Sequence, residues 1–180
     1  SGGNYAVAYA NNTTSTINPY AVSLSGSRTY DGTANVAANI FSFGSLANGE
    51  FLTLSGSGTV ADKHVGSGKA VNTTGLTLGN GSGLAGNYTF TGGTQTASIT
   101  QASLTLSTST VTKTYDGGLT AAGTAAVASG TLFGSDSLSG GSFAFTDKNV
   151  GTNNKTVTVS GVTINDGNSG GNGSITCRLG

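Results

Sequence analysis

The chain is written nearly twice. Thr29-Tyr30-Asp31-Gly32 returns 85 positions later as Thr114-Tyr115-Asp116-Gly117, and Asp62-Lys63-His64-Val65-Gly66 returns at the same distance as Asp147-Lys148-Asn149-Val150-Gly151. Thr74-Gly75-Leu76-Thr77-Leu78 matches Ser160-Gly161-Val162-Thr163-Ile164. Gly3-Asn4-Tyr5 matches Gly86-Asn87-Tyr88, and Ser15-Thr16-Ile17 matches Ala97-Ser98-Ile99. Matches in one order at one period mark an internal repeat, and this period exceeds the 20–50 residues or so of a solenoid coil. It suits a small domain repeated as beads. The reading is residues 1–17 as final strands of a preceding repeat, 18–101 as a complete repeat, and 102–180 as a second repeat with an atypical end.

Apolar residues within the repeat alternate. Tyr5, Val7 and Tyr9 do so, as do the pairs Phe41/Phe43, Leu52/Leu54, Leu76/Leu78, Leu104/Leu106, Phe143/Phe145 and Val157/Val159. A period of two predicts half-buried strands, and no window carries a helical apolar stripe. Leu46–Gly49 and Gly79–Gly86 read as turns. With 31 glycines, one proline and 35% hydrophobic residues, the core should be thin and the turns many. The expected fold is all-β: tandem, elongated, sandwich-like or β-grasp-like domains of about 85 residues, linked at Ile17–Tyr20 and Ile99–Ala102.

Composition narrows the function. Lys and Arg number 7 and the formal net charge is +0, so there is no basic footprint for nucleic acid. No apolar run is long enough to span a membrane. The chain opens inside a polar, Gly-rich segment with no signal-peptide pattern, which reads as a fragment or a processed chain. The single cysteine, Cys177, excludes an intrachain disulfide and most metal-finger patterns.

The ordered motifs resemble a known family. Val111–Gly117 with its Tyr-Asp-Gly, then Asp147–Gly151, then Lys155–Val162, and in the first copy Gly86-Asn87-Tyr88 followed by an Ala-x-Ile-Thr end, look like the YDG repeat. That repeat is related to the mostly-beta glycine-rich repeats of bacterial surface proteins. The resemblance implies a segment of a large secreted adhesin of the filamentous-haemagglutinin type, serving as stalk or matrix-binding region at the cell surface or in a biofilm. It implies no catalytic residues. Two departures stand out: His64 where the second copy has Asn149, and Gly171-Asn172-Gly173 where a tyrosine should follow the asparagine.

The candidate residues favour structural roles. In Tyr30-Asp31-Gly32 and Tyr115-Asp116-Gly117 the Asp should cap a turn, the Gly supply positive φ, and the Tyr pack in the core with its hydroxyl bonded. Asp62-Lys63 and Asp147-Lys148 should pair with neighbours or brace a bend, and Tyr88 belongs to the closing strand motif. His64 and Cys177 sit in different repeats, so a Cys–His catalytic pair is not expected. Gly81, Gly83 and Gly86 spell a dinucleotide motif, but a strand follows where a helix is required. Asn165-Asp166-Gly167-Asn168 has some calcium-loop character, yet the acids are too scattered for six to eight oxygens. No cofactor is expected, calcium between repeats being the one candidate.

The expected function is therefore structural and adhesive, not enzymatic, with neighbouring repeats, identical chains or extracellular polysaccharide as partners. A second reading comes from the chain ends. Residues 1–17 are strands without a domain, and Ser1–Asn4 would continue from Ser169–Asn172. The N-terminus of one chain could complete the last unit of the next by strand addition, a contact that grows a filament. Against this, Ile175, Cys177 and Leu179 alternate as the chain's own closing strand would. Glycan binding is a third reading; a hydrolase would need a carboxylate pair flanking the scissile bond.

Overall fold

A computed structural model of the chain describes residues 3–177. Among these it is built of strands, with short 3-10 turns and no α-helix. The first repeat contains β1 (Tyr20–Ala21), β2 (Leu24–Thr29), β3 (Asn35–Ala37), β4 (Phe41–Phe43), β5 (Thr53–Thr59), β6 (Gly66–Ala70), β7 (Leu76–Gly79), β8 (Tyr88–Thr89) and β9 (Gln95–Thr100). The second contains β10 (Ala102–Thr108), β11 (Ala125–Ser129), β12 (Ser137–Phe145), β13 (Val157–Asn165) and β14 (Gly173–Cys177). Every alternating pair named above from Phe41 onward lies on or beside one of these strands.

In the first repeat a mixed sheet runs β4-β2-β9-β6 and an antiparallel sheet runs β3-β5-β7. Alternate residues of both sheets meet in one core: Leu24 from β2, Val36 from β3, Leu76 from β7, Ala97 and Ile99 from β9, with Val60 and Val71. This is sheet packed on sheet, each strand presenting every second side chain inward. β9 is the central element. It pairs parallel with β2 from Leu24↔Gln95 to Thr29↔Thr100, and antiparallel with β6 through Gly66↔Ile99, Lys69↔Ala97 and Ala70↔Thr96. Its inward residues are almost wholly buried, Ala97 at 1% and Ile99 at 2% exposure. Beside this core, β1 pairs parallel with β8, and Val22, Leu52 and Tyr88 form a smaller cluster.

The second repeat reproduces part of that plan. β10 pairs antiparallel with β11 and parallel with β14, as β1 does with β8. β12 and β13 form a long antiparallel hairpin. Leu104, Leu106 and Ile164 pack as the counterpart of the smaller cluster. Ile175 and Cys177 thus belong to a strand of the chain's own, β14; Leu179, the last member of that alternation, lies outside the described residues. The central sheet is different. The counterparts of β2 and β6, residues 109–114 and 151–156, are not strands, and no described strand lies between them. What remains of the core there is Ala121, Phe145 and Val157, with Val111 and Phe143 beside them.

Two expectations are corrected. Residues 5–9 alternate as a strand should, yet they form none among the described residues; Tyr5, Val7 and Tyr9 are exposed. Alternation supplies one apolar face but not a neighbour, and a strand needs a neighbour for its backbone groups. The segment Ile99–Ala102 is not a linker either: Ile99 and Thr100 end β9, Ala102 starts β10, and Gln101 alone separates them. Ser1 and Gly2, which were expected to continue from Ser169 and Gly170, lie outside the described residues.

Because Ile99 fills the first core while Val7 touches water, Ile99→Ala should destabilise the first repeat by about 2–5 kcal/mol. Val7→Ala should leave it unchanged in dilute solution. Equilibrium denaturant unfolding of both variants checks the contrast.

Candidate functional site

The motif residues converge on the seam between the repeats. Asp31 Oδ1 accepts hydrogen bonds from the backbone N–H and the hydroxyl of Thr33, each 2.9 Å, and Arg28 sits 2.7 Å from the same oxygen. Gly32 follows with φ 78°, a conformation that only glycine adopts freely. The turn delivers Tyr30 to the seam, 3% exposed. There its hydroxyl donates to Asp136 Oδ2 of the second repeat (2.9 Å), and its ring meets Phe133 edge-on at 5.8 Å. Gly32 also has to be small: a Cβ there would stand 2.7 Å from that of Phe133.

Asp62 and Lys63 divide their work. Asp62 Oδ1 accepts from the His64 backbone N–H (2.9 Å), bracing the bend, and pairs with Lys69, not with its neighbour. Lys63 reaches across the seam to Asp136 at 3.4 Å and lies over the Tyr30 ring at 5.7 Å. One carboxylate of the second repeat therefore receives a hydroxyl and an ammonium from the first.

A second contact lies beside it. Asn172 is fully buried. Its Oδ1 accepts from the Val65 backbone N–H (2.9 Å), and its Nδ2 donates to His64 Nδ1 at 3.0 Å, which assigns the acceptor tautomer to that nitrogen. Asn172 is itself held by Asp166, whose Oδ2 accepts from its backbone N–H at 2.8 Å and whose Oδ1 accepts from Asn168 and Gly170. The Asn165–Asn168 stretch is thus a loop cap. No group of three His, Cys, Asp or Glu able to hold a metal occurs among the described residues. His64 serves the seam, while Cys177 is exposed on β14. Gly81 and Gly83 form a tight loop, Gly81 N–H donating to the Gly83 carbonyl at 3.0 Å.

The second copies are positioned alike but, among the described residues, meet no counterpart of Phe133 or Asp136. Asp116 Oδ1 accepts from Gly118 N–H (2.9 Å) and pairs with Lys113 at 2.7 Å; Gly117 has φ 78°. Asp147 accepts from Asn149 N–H (2.9 Å) and pairs with Lys155. Tyr115, however, is 60% exposed, Lys148 and Val150 are exposed, and a Cβ on Gly117 would meet nothing within 4 Å. The expected core packing of Tyr115 is therefore corrected. Tyr30 by contrast packs in the core of its own repeat, with Phe133 of the second repeat closing over its ring. Tyr88 is buried in its own repeat, its hydroxyl donating to Glu50 at 2.5 Å.

Lys69, Phe133 and Asp136 carry no signal in the repeat motifs, whereas Asn172 is the asparagine of the motif that lacks its tyrosine. Aligned copies would have exposed one of them, since Leu46-Ala47-Asn48-Gly49-Glu50 stands opposite Leu132-Phe133-Gly134-Ser135-Asp136, with an acid in the same place.

The titrations follow from these contacts. Hydrogen bonds from Lys69, Lys113 and Lys155 hold the Asp62, Asp116 and Asp147 carboxyls below the ordinary 3.8. For Asp166 burial pushes upward, but the N–H donors of Asn172, Asn168 and Gly170 outweigh it and the net shift is downward. Burial raises Tyr30, the bond to Glu50 raises Tyr88, and the Tyr30 hydroxyl oxygen, as acceptor for the ammonium, raises Lys63 above its usual 10.5.

A family model described as the YDG domain matches residues 12–97 and again residues 100–176. No curated protein and no solved structure matches the chain.

Two outcomes are expected. Carboxyls with depressed folded values stabilise above the unfolded value, so stability should fall as pH drops below about 3.8 and through the lower folded values. The raised tyrosines and Lys63 stabilise below their unfolded values, so it should fall again above about pH 10. Thermal unfolding across pH checks both limbs. Separately, Asp136→Ala strands the Tyr30 hydroxyl and the Lys63 ammonium and should cost on the order of 1–3 kcal/mol. It should also split unfolding into two transitions, read by calorimetry.

Proposed function

The chain belongs to the YDG-domain family, and we propose that its two tandem copies are a structural, adhesive segment of a secreted bacterial surface or biofilm-matrix protein. The observation that carries this reading is the seam. Gln101 alone joins the repeats, and two polar clusters, Tyr30–Asp136–Lys63 and Val65/His64–Asn172–Asp166, fix one against the other. A flexible linker would let beads rotate freely. A one-residue connection under buried, specific hydrogen bonds holds their orientation, which is what a spacer that projects a binding surface requires. Few charges are present, 8% of residues, so neighbouring segments neither repel nor steer one another over distance.

Glycan adhesion by the segment itself is supported by one observation: Tyr5, Tyr9 and Tyr115 present exposed rings on a surface rich in Ser, Thr and Asn. Aromatic faces of this kind can stack on sugar rings.

Small-angle scattering should return one narrow inter-repeat distance for the chain, and a broad distribution for the double variant Asp136→Ala/Asn172→Ala. Equal breadth in both would sink the spacer reading. A glycan array should show binding that weakens when Tyr5, Tyr9 and Tyr115 are changed to Ala; an array silent for both proteins would remove adhesion by this segment and leave the spacer role.

A further inference from the structure

The two repeats fill one place in the fold with rings from different sources. Leu46–Glu50 stands opposite Leu132–Asp136, so Glu50 and Asp136 occupy one position of the repeat. Gly86-Asn87-Tyr88 stands opposite Gly171-Asn172-Gly173, so Tyr88 and Gly173 occupy another. In the first repeat the acid receives the hydroxyl of that repeat's own Tyr88, at 2.5 Å. The second repeat has no tyrosine there to give. Its acid, Asp136, receives the hydroxyl of Tyr30 from the repeat before it, at 2.9 Å.

The packing around each ring is exchanged as well. Tyr88 lies edge-on to Tyr20, with centroids 5.9 Å apart, and shares a cluster with Val22 and Leu52, with Ala47 beside it. Tyr20 pairs with Tyr88 between β1 and β8, as Ala102 pairs with Gly173 between β10 and β14. Two tyrosines of the first repeat thus become Ala and Gly in the second. Ala47 in turn becomes Phe133, whose ring meets Tyr30 edge-on at 5.8 Å. Each repeat ends with one tyrosyl hydroxyl on its acid and one ring set against that tyrosine. The space left over in the second repeat is about 20 Å³, bounded by Tyr30, Ala102, Leu104, Asp136, Ile164 and Gly173. That is too little for another aromatic ring in a close-packed interior, so a ring at position 173 and the ring of Tyr30 exclude each other.

We propose that Gly173 makes the second repeat a receptor for a Tyr-Asp-Gly turn: the place vacated by its missing tyrosine is a socket, and its occupant is the tyrosine of the adjoining repeat. A repeat with tyrosine at this position, as the first has at Tyr88, fills its own socket. The acid is common to both copies and the source of the ring is not, so the two copies are not interchangeable at a seam. Specificity here rests on exclusion as much as on attraction. The inference rests on the reading of the seam as a fixed joint and adds the residue that decides which repeat accepts which turn.

The test uses the whole chain. Hydroxyl-radical footprinting read by mass spectrometry should find Tyr30 protected relative to the exposed Tyr115. Gly173→Tyr should cost Tyr30 part of that protection, while the introduced ring is itself protected as Tyr88 is. Gly173→Ala separates a ring from a mere side chain. Its Cβ would stand 2.7 Å from Ile164 Cδ1, the end of a flexible side chain, and Tyr30 should stay protected. A thermodynamic cycle adds a second readout: Tyr30→Phe should lower the melting temperature of the wild type and leave that of Gly173→Tyr unchanged. The socket is overturned if Tyr30 stays fully protected in Gly173→Tyr, if Gly173→Ala exposes it equally, or if Tyr30→Phe costs the same in both backgrounds. Loss of the second repeat's strands in Gly173→Tyr, read by circular dichroism, overturns it too, because the ring would then have no room even with Tyr30 withdrawn. All of these outcomes leave the fixed joint of the wild type standing. A wild-type Tyr30 as reactive as Tyr115 would instead remove the joint, and the socket with it.

Discussion

Everything in the first repeat depends on one pairing: β9 inserted between β2 and β6. A strand in the middle of a sheet satisfies backbone groups on two edges at once, and with β9 in place Ala97 and Ile99 close the core beneath it. The parallel pairing with β2 has a topological consequence. Parallel neighbours cannot be joined by a tight turn, and here nearly the whole repeat lies between them. The first long strand and the last strand of the domain are therefore side by side. The chain leaves the sheet from its centre, and Gln101 alone carries it into β10.

The seam follows from that exit. With so short a connection, the turn at Tyr30-Asp31-Gly32 and the bend at Asp62–Val65 are brought against Phe133, Asp136 and Asn172. Each half of the seam is itself preset locally. Asp31 and Asp62 hold their turns through backbone N–H groups, and Asp166 holds the loop that presents Asn172. Side chains that cross the seam thus lose little freedom on docking, which is why so few of them suffice in a chain with a thin core. Gly32 marks the closeness of the approach.

Much of this was legible in the sequence. The repeat period gave the two units, and alternation at Phe41/Phe43, Leu76/Leu78 and Val157/Val159 gave the strands, because each of these segments has a pairing partner. Turn chemistry at both Tyr-Asp-Gly motifs was legible for the same local reason. What could not be read was anything set by a neighbour. Tyr30 and Tyr115 are the same residue in the same motif, yet one is buried and the other exposed, because Phe133 and Asp136 cover the first alone. Tyr5–Tyr9 alternates without becoming a strand for want of a partner. Asp136 has the sequence surroundings of an ordinary loop residue, and Asn172 those of an altered motif; the fold sets them opposite Tyr30 and His64.

Native-state hydrogen exchange tests the central claim, that β9, held between β2 and β6, is what completes the first repeat. The amides of β2 and β9 should exchange only with global unfolding of the first repeat. Those of residues 110–114 and 150–155 should exchange orders of magnitude faster, through local opening. Equal protection of the two sets would contradict the account, because among the described residues the carbonyls of 110–114 and 150–155 accept no backbone hydrogen bond.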